Sequence, residues 1–146
     1  MLGKHTVFPF EIFRVNAGHK VNLRDHDEQA AKGRSSYDLY KNADGLVEPI
    51  EGSMFEKPNG CSMRPDGPMA QEIIRNFPGR NTVVWRVPEG TPIPPSLVLY
   101  HEHSDHYSLQ TTEPVKLPEL NRRITAFLDR NGEKMTKEEW ADRYPF

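Results

Sequence analysis

Apolar residues come in short runs along this chain, each closed by proline, glycine or a charged cluster, and the spacing within a run indicates which element it builds. FEIFRV, residues 10 to 15, is rich in β-forming side chains and bounded by Pro9 and by Asn16 to Gly18, which predicts a strand. Residues 16 to 35 are polar and leave room only for a short helix over Asp27 to Lys32. From Tyr37 to Glu56, apolar pairs alternate with the turn signals Asp44-Gly45 and Glu51-Gly52, as in brief strands joined by loops. Met69, Ile73, Ile74 and Phe77 have helical spacing, with Asp66 placed to cap the start and Pro78-Gly79 to end the helix. NTVVWRV, residues 81 to 87, predicts a strand with Val83, Trp85 and Val87 on one face. The proline-rich stretch 88 to 96 that follows cannot be regular.

SLVLYHEH and HYSLQTT both read as extended, with Ser104 and Asp105 between them at hairpin spacing. A regular two-residue turn pairs 103 with 106 and 101 with 108. Leu97, Leu99, His101 and His103 then share a face with His106, Ser108, Gln110 and Thr112, while Tyr100, Tyr107 and Leu109 face the other way. After Pro114 the period becomes helical through Leu117, Leu120, Ile124 and Phe127 or Leu128, and Gly132 stands where the helix should stop. Thr136-x-x-Glu139 is a capping box for a last helix, with Met135 and Trp140 spaced as a hydrophobic staple. Strands and helices are segregated without βαβ regularity, so the expectation is one α+β domain spanning 1–146.

Composition narrows this picture. Of 146 residues, 36% are apolar and 10% aromatic, which suits one modest core with many loops rather than disorder. The net charge is −2 and no stretch concentrates Lys and Arg, so binding to a nucleic-acid backbone is not indicated. Cys61 is the only cysteine, which excludes an intrachain disulfide and reads as a small packing residue. No run approaches the ~20 apolar residues that span a bilayer, and MLGKHTVFPF lacks a signal-peptide core. A protein without a membrane partner, acting in the cytosol, is expected.

Residues 101 to 106, HEHSDH, have the H-x-H-x-D-H spacing by which metallo-β-lactamase-type hydrolases hold zinc. Such a site draws further ligands from downstream. Here no histidine follows His106, and His5, His19 and His26 all lie upstream. The signature also leads into an alternating, extended segment rather than a helix. A zinc-dependent hydrolase is therefore a subordinate reading, and a non-catalytic protein-binding module is a third.

The stretch EGTPIPPSLVLYHEHSDHYSLQTTEPVKLPELNRRITAFLD, residues 89 to 129, carries a further signal in Gly90, Thr91, Ile93, Pro94, Pro95 and Leu97 and in the pair His106-Tyr107. Upstream stand Phe13-Arg14, Asp44-Gly45-Leu46 and Gly60-Cys61-Ser62. Together these resemble a toxin family related to ADP-ribosyltransferases and founded by a bacterial type VI secretion effector. The resemblance implies two small antiparallel β-sheets packed face to face with flanking helices, and NAD bound in the cleft between them. It implies cytotoxicity by transfer of ADP-ribose to a macromolecular target or by hydrolysis of NAD, and it leaves room for a neutralising partner protein. By the same resemblance Arg14 and Arg34 would hold the pyrophosphate, Ser62 the nicotinamide ribose, and His106 with Gln110 the reacting centre. A guanidinium fork suits phosphate, and an imidazole that titrates near neutrality suits proton transfer. Two departures stand out. The chain has Gln110 and Glu113 three apart instead of Q-x-E or E-x-E, and it has Cys61 where the bacterial toxin has a hydroxyl residue.

Overall fold

The computed structural model describes residues 1–146. Its strands are β1 (Gly3–His5), β2 (Ile12–Ala17), β3 (Leu46–Val47), β4 (Cys61–Met63), β5 (Thr82–Val87), β6 (Leu97–His103), β7 (His106–Thr111), β8 (Val115–Lys116) and β9 (Glu133–Thr136). The helices are α1 (His26–Ala31), α2 (Pro68–Arg75), α3 (Leu117–Asn131) and α4 (Lys137–Arg143). Two antiparallel sheets, ordered β1-β6-β7-β4 and β2-β5-β9, form the body, and β3 and β8 add a two-stranded ribbon. The fold is thus α+β with small antiparallel sheets, as the residue pattern and the resemblance both led us to expect.

The β5 strand lies between two cores because its side chains alternate. Val83, Trp85 and Val87 enter the larger cluster with Ile12, Leu99, Tyr107, Leu109, Leu120 and Ile124. On its other face Val84 joins Phe13, Ala70, Ile74, Met135 and Trp140. The apolar stripe of α3 lies against the first of these cores, with Leu120, Ile124, Phe127 and Leu128 buried. Each such side chain contributes about 1.5–3 kcal/mol when fully buried. Thr136 and Glu139 form the expected capping box on α4, and Met135 and Trp140 meet in the second core.

Two local expectations are corrected. The N-cap of α2 is Gly67, followed by Pro68 at the first helical position, with no side-chain cap. Asp66 stands one position before the cap and instead accepts a 2.9 Å hydrogen bond from Gln71 Nε2, while Pro68 suits the first helical position because its missing N–H would have no partner there. The second correction concerns the hairpin. His103 faces His106 as expected, but His101 pairs with Tyr107 and Tyr100 with Ser108, because Glu102 is an extra residue in a bulge. A one-residue slip exchanges faces. Leu97, Leu99 and His101 therefore lie with Tyr107 and Leu109, and Tyr100 moves to the side of Ser108. The polar stripe His106, Ser108 and Gln110 survives on the face opposite Tyr107 and Leu109.

Candidate active site

Between β2 and β4 the two sheets touch at one point and then separate. Phe13 and Arg64 exchange backbone hydrogen bonds of 2.8 and 3.0 Å, and no further ladder follows. Beyond this seam opens a cavity of about 530 Å³, lined by β2, β4, α2 and His106. Its lining combines the apolar side chains of Phe13, Ile73, Ile74 and Phe77 with the polar Arg14, Arg24, Ser62 and His106.

Arg14 occupies the place where backbone pairing stops. Its Nη1 donates to the Ser62 carbonyl at 3.2 Å and its Nη2 to Asn16 Oδ1 at 2.8 Å. Its Nε is buried without a partner, and no carboxylate pairs with it. The guanidinium is therefore anchored in orientation while its charge stays uncompensated, the condition in which it suits an anionic ligand. Arg24 and Arg64 also line the cavity but are already paired, with Asp38 at 3.0 Å and with Asp105 at 2.6 Å. The hydrogen bond to Asp38, helped by its charge, raises the Arg24 pKa above the usual guanidinium value against partial burial.

Ser62 is half-buried on β4, and its Oγ lies 3.0 Å from His106 Nε2 across the β4–β7 pairing. Gly60 lets this edge close up. A Cβ there would stand 2.5 Å from the Leu109 carbonyl oxygen, a distance that no side chain tolerates. The intervening Cys61 points into the main core, where burial pushes its thiol pKa up, with Asp38 adding to the shift and Arg14 opposing it. The departure at residue 61 therefore falls on the core side of the strand, away from the cavity.

Three of the residues expected at the site, Arg14, Ser62 and His106, line this one cavity. Arg34 does not. It lies exposed in the loop after α1, outside the cavity lining, and the arginines that line the cavity beside Arg14 are Arg24 and Arg64. Gln110 is fully buried one layer behind, donating to Ser108 Oγ at 3.2 Å and Glu102 Oε2 at 3.4 Å. Glu113 points elsewhere, pairing with Arg123 of α3 at 2.9 Å. Residue spacing did not single out Arg24 or Glu102: the partner of Arg24 lies fourteen positions away, and Glu102 owes its orientation to the bulge.

The HEHSDH segment does not converge. His101 lies on the core side of the hairpin, stacked on Tyr107 with ring centroids 4.3 Å apart. His103 is exposed and stacked on His106 at 5.2 Å. Nowhere in the chain do three His, Cys, Asp or Glu side chains come together in a metal-holding group, so the zinc reading has no ligand set. No helix is long and apolar enough to cross a membrane.

The chain matches no curated protein and no solved structure at a significant level. The family model described as Tse2 ADP-ribosyltransferase toxin matches residues 10–140, a span that takes in every strand of the two sheets except β1, together with the seam and every residue lining the cavity. The chain belongs to the Tse2 ADP-ribosyltransferase toxin family.

Proposed function

We propose that this protein is a cytosolic toxin that binds NAD in the cavity between its sheets and transfers the ADP-ribosyl group to a macromolecular target, or to water when no target is present. The observation that carries the reading is the convergence of an uncompensated guanidinium, a hydroxyl and an imidazole on one cavity whose lining also includes apolar side chains. The residues fit the ligand's chemistry. NAD supplies an ADP-ribosyl group on a cationic pyridine, a good leaving group once the ribose carbon is attacked. Arg14, with an unused buried donor, would bind the pyrophosphate, and Arg24 would add charge at the rim. Ser62 would hydrogen-bond the nicotinamide ribose and fix its orientation. The apolar side chains of Ile73, Ile74 and Phe77 suit a planar ring. His106 would take up the proton of the incoming acceptor by way of the Ser62 hydroxyl. In this reading a producing cell needs a neutralising partner protein.

Induced expression in a naive host tests the proposal. The parent chain should arrest growth, and His106→Ala, folded by circular dichroism, should reduce killing at least about a hundredfold. A folded His106→Ala variant as lethal as the parent would remove His106 from the mechanism. Equal lethality in Arg14→Ala and Ser62→Ala as well would support a protein-binding module instead.

A further inference from the structure

The bulge at residue 102 turns a glutamate toward the back of His106. The Glu102 side chain is 2% exposed, and its Oε1 lies 2.7 Å from His106 Nδ1. The approach lacks the alignment of a full hydrogen bond, yet neither atom has another protein partner. A buried carboxylate is costly unless a group able to carry positive charge stands beside it, and the imidazole is the one within reach. On the other side of the ring, His106 Nε2 lies 3.0 Å from Ser62 Oγ. An ionised carboxylate only accepts hydrogen bonds, so beside it the imidazole proton would sit on Nδ1 and the Nε2 lone pair would face the serine hydroxyl.

We infer that Glu102 is a positioning residue for this site: behind the His106 ring it orients the imidazole so that Nε2 stands ready to accept a proton from the Ser62 hydroxyl. The inference rests on the proposed reaction. Glu102 does not line the 530 Å³ cavity; it borders a separate one of about 410 Å³ behind the hairpin, so it acts through the ring and not on the substrate. As the acceptor hydroxyl or water forms its bond to the ribose carbon, its proton passes to Ser62 Oγ and that of Ser62 to His106 Nε2. The ribose–nicotinamide bond breaks with its electron pair going to the pyridine nitrogen, and nicotinamide leaves neutral. The imidazolium, held by Glu102, gives up the single proton released when product departs.

Two measurements on the full chain decide it. Nitrogen-15 NMR of the free protein, with the His106 signals assigned by their loss in His106→Ala, should show the Nδ1–H tautomer, and Glu102→Gln should abolish that preference. An Nε2–H tautomer in the parent, or an identical tautomer in Glu102→Gln, overturns the inference without any NAD present. For nicotinamide release, Glu102→Gln should lower kcat at least about tenfold with KM for NAD within about twofold. An unchanged kcat with a raised KM would place Glu102 in packing alone. If the parent releases no nicotinamide, the proposed function fails, and the tautomer measurement still settles the Glu102–His106 contact.

Discussion

Gly60, Cys61 and Ser62 show how much one tripeptide can specify. The glycine permits the close approach of β4 to β7, the cysteine fills the core, and the serine alone faces the cavity. Alternation along the strand assigns the last two roles. The buried thiol also gives a test of the packing. Its pKa is raised in the folded chain, chiefly by burial, so its contribution to stability is complete below the unfolded value of about 8.5 and is lost as pH rises past it toward the folded value. Urea titrations of the parent and Cys61→Ala should therefore converge above about pH 8.5, with a differential slope approaching about 1.4 kcal/mol per pH unit. Parallel curves from pH 7 to 10 would mean that the thiol titrates normally and is not buried.

At the scale of elements, legibility followed the length and regularity of the pattern. The 3.6-residue period of Leu117, Leu120, Ile124 and Leu128 is sufficient to define α3, and Thr136 with Glu139 marks the start of α4 because both partners of the box are present in the sequence. The short strands β1 and β9 carry too few residues for any period and exist because the longer β6 and β5 give their backbones hydrogen bonds, while β3 and β8 pair only with each other. The bulge in β6 has no sequence signature, since Glu102 is placed by the demand that Leu97 and Leu99 reach the core while His103 still meets His106 across the turn. Thr136→Ala should cost about 1 kcal/mol in urea denaturation, because it removes the side-chain acceptor for the Glu139 N–H. A loss under about 0.3 kcal/mol would show that packing of Trp140, and not the cap, holds α4 in place.

In the whole molecule, the site is assembled from strands far apart in the chain: Arg14 on β2, Ser62 on β4 and His106 on β7. The motifs that suggested these three residues lie in separate parts of the chain, and the pairing of β4 with β7 and the seam at Phe13 and Arg64 bring them together. Arg34 looked equivalent to Arg14 in the sequence because a charged loop residue and a charged strand residue differ only in what surrounds them. Arg24, held at the cavity rim by Asp38, was invisible for the same reason. The central claim is that this cavity consumes NAD. Incubating the purified protein with cell lysate and NAD labelled in its adenylate half, while following free nicotinamide and labelled macromolecules separately, tests it most directly. We expect nicotinamide release with label on a macromolecule, or on free ADP-ribose if water is the acceptor, and loss of both in Arg14→Ala. A protein that kills cells yet releases no nicotinamide and transfers no label would contradict the account.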